Sequence, residues 1–216
     1  MDFDDQQQYY DAKYTRGAHG IGPMFPYQFR FLSRWAGCGG RVLRILDLGG
    51  GTGEYSLALQ RMGHDVTLFE LSAVALDHAC RLGVKKIIHG RFPAQRPTQL
   101  FDLVLVRGFS PLNTDDVQAF GQMLGSIEAL LVSGGIVLYW STTDLTGRWT
   151  PSGWFYWKPA TLRPLFDGVL VFPALRYQAL LPVCISGAVS RLVCSLDHLP
   201  RALTLAAYRR KASAAR

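Results

Sequence analysis

Cysteine is scarce in this 216-residue chain. Its four copies, Cys38, Cys80, Cys184 and Cys194, lie far apart, with no CxxC pair and no histidine at zinc-ligand spacing. That pattern excludes a disulfide framework, gives no metal site, and predicts buried thiols in a reducing compartment. Long hydrophobic runs are also missing. The longest uncharged apolar run, 177–190, contains Pro182 and is too short for a bilayer, which takes about 20 residues. The N-terminal MDFDDQQQYYDAKY is acidic and polar, unlike a signal peptide. A soluble, cytoplasmic protein with no transmembrane segment is expected. Internal repeats and low-complexity tracts are absent. Charged residues make up only 18% of the chain, against 49% hydrophobic ones with 12 Phe, 9 Tyr and 5 Trp, so most of it must be ordered.

Lysine is rare as well: the net charge of +7 comes from 18 Arg and 5 Lys against 16 acids. Such an excess attracts nucleic acid, an anionic lipid surface or an acidic small molecule. The arginines are spread along the chain apart from a terminal cluster, Arg209, Arg210, Lys211 and Arg216. A solvated basic surface with a frayed tail accounts for this pattern, and the charge alone decides nothing. The length corresponds to one large domain, able to bury about 70% of its unfolded surface.

From Arg41 onward, strand-length apolar runs alternate with helical patterns. Strands are predicted over 42–48, 66–71, 84–89, 101–106 and 136–140. Helices are predicted over 54–62, over 72–82 with Ser72 as cap and Gly83 as stop, and from Thr114 or Asp115 to Leu131 before a turn at Gly134–Gly135. Near-unbroken Val, Ile and Leu strands separated by helices indicate a doubly wound α/β fold with a parallel sheet covered on both faces. Beyond Ser141 the pattern is less regular: a helix over 159–166, a strand over 169–180 interrupted by Pro173, and a last strand over 202–209. Residues 1–40, rich in Gly, Pro and aromatics, are expected to form an appendage over one end of the sheet, with the main domain at 41–216.

The informative stretch is ILDLGGGTGEYSLAL, residues 45–59. A hydrophobic strand ends at Asp47, a glycine loop follows, and a helix begins near Gly53. Glycines let backbone turn tightly and approach a ligand, while the helix N-terminus offers amide donors. The dinucleotide fingerprint GxGxxG fits poorly, because Glu54 stands where its third glycine belongs. Asp47 to Gly53 instead reads D-x-G-x-G-x-G and resembles motif I of the class I S-adenosylmethionine-dependent methyltransferases. Glu70, ending the second strand in VTLFELS, strengthens the likeness.

The resemblance implies a Rossmann-like seven-stranded methyltransferase sheet with its last strand antiparallel, S-adenosylmethionine as cofactor, and a small-molecule acceptor methylated on oxygen or nitrogen. It implies that Asp47 orients the glycine loop, that Gly49, Gly51 and Gly53 pass the methionine moiety, and that Glu70 accepts hydrogen bonds from both ribose hydroxyls. The acid that usually follows the third strand is replaced here by Gly90, Arg91 and Phe92, so adenine is expected to meet backbone groups and an apolar side chain, Phe92 or Leu71. After the fourth strand, Arg107 and Gly108 are expected to floor the cofactor. Ser110-Pro111-Leu112-Asn113 shares only Ser-Pro with the tetrapeptide of base-methylating enzymes. The N-terminal segment is expected to act as a lid, with Tyr10 or Tyr14 near the sulfonium and His19 as candidate general base. Trp149, Trp154, Phe155, Tyr156 and Trp157 either wall an acceptor pocket or pack the core. Two other functions remain open: methylation of RNA, for which nucleic-acid binding lacks its best marker, and a catalytically silent cofactor-binding protein.

Overall fold

The computed structural model describes residues 3–17, 26–151, 153–173 and 203–212. Its elements, in chain order, are α1 (Phe3–Thr15), α2 (Pro26–Trp35), β1 (Arg44–Leu48), α3 (Glu54–Arg61), β2 (Asp65–Glu70), α4 (Ala73–Leu82), β3 (Lys86–His89), β4 (Phe101–Arg107), α5 (Val117–Glu128), β5 (Leu131–Thr143), α6 (Pro159–Leu162), β6 (Gly168–Pro173) and β7 (Leu203–Arg210). The strands form one seven-stranded sheet in the order β3-β2-β1-β4-β5-β7-β6, with β7 antiparallel to both of its neighbours. This is the expected doubly wound architecture.

Side-chain alternation along the central strands divides the core into two faces. Leu46 and Leu48 of β1, Val104 and Val106 of β4, and Val137 and Tyr139 of β5 point to one face, where α5 supplies Phe120, Leu124 and Ile127. Ile45, Leu103, Leu105, Ile136, Leu138 and Trp140 point to the other, where α3 supplies Tyr55 and Leu59. The same period of two puts Asp47 and Arg107 on this second face, at the carboxyl ends of β1 and β4.

Local signals explain most element boundaries. Ser72 caps α4 by accepting from the Ala75 amide, and Gly83 ends it at φ 94°. Helix α5 begins later than expected, because Asp116 is its cap and accepts from the Gln118 and Ala119 amides. The glycine pair 134–135 is no turn but an irregularity inside β5, where the β4–β5 register shifts between Phe101 and Leu103. The predicted helix over 159–166 is a single turn, α6, followed by a 3-10 turn at Arg163–Leu165. Of the thiols, Cys38 is buried but Cys80 is exposed on α4, contrary to expectation; Cys184 and Cys194 lie outside the described residues. Among the described residues, no helix is long and apolar enough to cross a membrane.

Of the basic C-terminal cluster, Arg209, Arg210 and Lys211 are built into the fold, and Arg216 lies outside the described residues. Arg209 Nε pairs with Glu128 at 2.7 Å. Arg210 donates to the carbonyls of Gly134 and Ala36, and Lys211 Nζ donates to the Leu131 carbonyl. These cations staple β7 to its surroundings instead of fraying into solvent.

The expected boundary at residue 40 does not hold for α2. Phe29, Leu32 and Ala36, at helical spacing, are buried in the same cluster as Tyr55, Leu105 and Trp140. Of the described residues before β1, those of α1 lie over the carboxyl end of the sheet. Phe29 is 1% exposed, so Phe29→Ala should cost about 3–5 kcal/mol as a large-to-small core change, while deleting residues 1–17 should cost far less. Urea denaturation of both variants checks this; equal losses would contradict the assignment of α2 to the core.

Candidate functional site

A cavity of about 650 Å³ opens at the carboxyl ends of β1, β2 and β4 and is roofed by α1. Ligands of open α/β sheets sit outside the carboxyl ends of the strands. The glycine loop forms one wall through Gly49, Gly50, Gly51 and Thr52. Gly49 and Gly51 adopt φ of 71° and 59°, which only glycine takes without strain. A Cβ on Gly49 would lie 2.6 Å from the Phe109 ring, and one on Gly51 would lie 2.7 Å from Tyr14 Oη. Gly53 is different. It is absent from the cavity wall, and its Cβ would meet Ala79 and Val84 at 2.8 and 2.9 Å. A glycine there lets the loop and α3 pack closely against α4 and the residues after it. Gly50, which the motif reading passed over, lines the cavity, and its Cβ would strike the Asp47 carboxylate at 2.5 Å.

Asp47 lies beneath this loop, fully buried, and accepts from Ser56 Oγ at 2.7 Å through Oδ2. Its Oδ1 is buried with no hydrogen-bond partner. Burial pushes the Asp47 carboxyl up, opposed by the charge of Arg107. Arg107, across the strand ends, lines the cavity with its guanidinium 3.0 Å from the Tyr55 ring centroid. Its Nε and Nη1 are buried and have no hydrogen-bond partner. Burial pulls its pKa down, against the fields of Tyr55 and Asp47. An unpaired buried charge is costly, so Arg107, which lines the cavity, marks where an anionic ligand gains most.

Glu70 closes the cavity on the β2 side at 6% exposure. Its Oε2 accepts from the Gly51 amide at 2.9 Å, and its Oε1 from the amides of Leu71 and Ser72 at 2.8 and 3.0 Å. Burial raises its pKa, and these backbone donors oppose the rise. A carboxylate has about four acceptor sites, so capacity for a ligand hydroxyl remains. Leu71, Arg91 and Phe92 complete this end of the cavity. The Arg91 amide is occupied by Gln95 Oε1 at 2.8 Å. Phe92 meets Phe69 edge-on and tilts against Phe109.

The roof comes from one face of α1: Gln6, Tyr10, Lys13 and Tyr14, with Tyr9 beside them. Tyr10 hydrogen-bonds the Ser110 side chain, and burial raises its pKa. Burial raises Tyr14 well above the usual phenol range, with Glu70 adding to the effect. Both therefore remain protonated hydrogen-bond donors at neutral pH. His19, the candidate base, lies outside the described residues.

The aromatic segment after β5 is divided in use. Trp154 and Tyr156 line the cavity, beside Ser141 and Thr142. Trp157 and Phe155 pack against each other and the core at 4.9 Å between centroids. Trp149, 46% exposed, meets Phe155 edge-on and donates to Asp115. Asn113 holds the segment in place: its Nδ2 donates to the Gly153 carbonyl and its Oδ1 accepts from the Phe155 amide. The N-terminal segment was expected over the site, but its helical form, with Gln6 and Lys13 on the same face as the tyrosines, and the brace at Asn113 were not predicted. The spacing 6, 10, 13, 14 is the helical signal that marks the first; nothing local marks the second.

Glu54 also faces the cavity, at the first residue of α3, with Oε2 accepting from Thr52 Oγ1. A carboxylate there repels the pyrophosphate that a dinucleotide places at a helix N-terminus.

No family profile and no curated protein matches the chain. Solved structures do resemble it. The N-methyltransferase NodS from Bradyrhizobium japonicum WM9, solved with S-adenosyl-L-homocysteine, is 14% identical, with 88% of each chain covered and a TM-score of 0.59. DhpI, solved with SAH, is 20% identical over 97% of each chain at a TM-score of 0.57. The (4+2)-cyclase SpnF is 15% identical over 87% of this chain and 81% of its own, also at 0.57. The likeness shows the fold, that of the class I S-adenosylmethionine-dependent methyltransferases.

Proposed function

We propose that this chain is an S-adenosylmethionine-dependent methyltransferase acting on a small molecule, and that it works in the cytoplasm. The observation that carries the reading is the cavity itself. A positive-φ glycine loop, a Glu70 carboxylate ending β2 and an unpaired Arg107 converge at the carboxyl ends of adjacent strands. The residues fit the cofactor by chemistry: Glu70 for ribose hydroxyls, Arg107 for a carboxylate, the loop of Gly49 to Gly51 for close backbone approach, and Leu71 and Phe92 as apolar partners for a base. Asp47 acts from below, through Ser56 and the loop. The cofactor would supply a methyl group already activated on a sulfonium.

The chain's own contribution is then orientation and exclusion of water, which together account for a large part of a rate enhancement. Tyr10 and Tyr14 cover the cavity as donors. Trp154, Tyr156 and Phe109 offer flat apolar surface for the acceptor. An amine acceptor needs only deprotonation and positioning, while a hydroxyl acceptor needs a base, with His19 the first candidate. The pinned tail cations Arg209, Arg210 and Lys211 weaken the RNA reading, since their donors already serve the fold. A second reading, a cofactor-binding fold without methyl transfer, is kept because one similar structure is a cyclase.

Incubating cell extract with the protein and deuteromethyl cofactor should yield a labelled small molecule by mass spectrometry. Label confined to RNA, or none despite cofactor binding, would favour the other readings. Arg107→Met removes the proposed carboxylate partner, and charge-assisted bonds of this kind are worth roughly 1.5–3 kcal/mol. Affinity for S-adenosylhomocysteine should drop about ten- to a hundredfold, while that for 5′-methylthioadenosine, which lacks the amino-acid portion, stays unchanged. Equal losses for both ligands would remove Arg107 from that role.

A further inference from the structure

Helix α1 is joined to α4 through the Asp11 carboxylate. Asp11 Oδ1 accepts from Ser72 Oγ at 2.5 Å and from the Val74 amide at 3.2 Å. Both donors belong to the first turn of α4. Ser72 Oγ still accepts from the Ala75 amide at 3.1 Å, so its single proton is free for Asp11. The carboxylate thus satisfies an orphan amide that α4 cannot satisfy itself and sits at the positive end of that helix. The same Ser72 donates its backbone N–H to Glu70, which in turn holds Gly51. Asp11 therefore grips the very turn on which the cavity's β2 side is built. It lies on the helix between Tyr10, bonded to Ser110, and Tyr14, over Gly51.

We propose that Asp11 is a positioning residue, a latch that docks α1 on the first turn of α4 and so holds Tyr10 and Tyr14 over the bound cofactor. The latch rests on the reading of the cavity as a cofactor site. It links closure of the roof to the Ser72–Glu70–Gly51 network, so that ordering one end favours the other. Losing it leaves α1 attached mainly through its tyrosines and unseats the roof.

The test uses Asp11→Ala and Asp11→Asn in the full chain, with S-adenosylhomocysteine as probe. Alanine is the better helix former, so weaker protection of α1 in Asp11→Ala cannot come from a weaker helix. Hydrogen exchange of the free protein should show loss of protection across Phe3–Thr15 and at Val74, with the melting temperature little changed. Stopped-flow release of S-adenosylhomocysteine should quicken by about ten- to a hundredfold, the range expected for a charge-assisted bond, with Asp11→Asn in between. A double-mutant cycle with Ser72→Ala should show non-additive release rates. Unchanged protection in Asp11→Ala would overturn the latch. Lost protection with unchanged release would overturn its positioning role while leaving the cofactor site intact. Failure of the unaltered protein to bind S-adenosylhomocysteine would overturn the cavity reading itself, and the positioning role with it.

Discussion

The Glu70 carboxylate, almost wholly buried, holds together two pieces of backbone that the sequence separates. Its amide partners, Gly51, Leu71 and Ser72, belong to the glycine loop and to the turn leading into α4. Backbone amides are the cheapest way to keep such a carboxylate away from water, since they satisfy it without adding a second charge. The consequence is geometric. The loop after β1 and the turn after β2 cannot move independently, and the start of α4 is fixed relative to both. The cavity inherits its shape from that constraint, and so does the docking point of α1.

A second constraint comes from the period of two along the sheet. Asp47 and Arg107 share a face because β1 and β4 are in register, Asp47 beside Leu105. They influence each other's ionisation, yet form no ion pair within 4.0 Å. A closed pair would satisfy both and leave little for a ligand. Held apart, with Oδ1, Nε and Nη1 unpartnered among the described residues, they cost stability in the free protein, and Arg107, which lines the cavity, is left available to an anionic ligand. Strain and unpaired charge are tolerated where function requires them.

The motif, the sheet and the site's β-strand ends were legible because each is a local pattern: strand, glycine loop, helix, then a strand ending in Glu70. Other features depend on distant partners. Gly53 looks like part of the ligand loop from its spacing, but its neighbours are Ala79 of α4 and Val84 just beyond that helix. The pair 134–135 looks like a turn, but its backbone hydrogen bonds to Lys211 hold it in a strand. Arg209, Arg210 and Lys211 look like a free cationic tail, and only the fold shows the carbonyls they meet. The helical face of Phe29, Leu32 and Ala36 was visible in principle, yet the surrounding glycines, prolines and aromatics made the first 40 residues read as a single appendage. Of the residues of α1 that line the cavity, Tyr10 and Tyr14 were expected near it, whereas Asp11 carries no sequence signal because its partners begin 61 residues away.

The central claim is that this cavity takes S-adenosylmethionine and not a dinucleotide. Isothermal titration of the full chain with S-adenosylhomocysteine and, separately, with NAD⁺ tests it most directly. The account predicts saturable one-site binding of the first and no heat of binding for the second. A folded protein that binds NAD⁺, or that fails to bind S-adenosylhomocysteine, would contradict it.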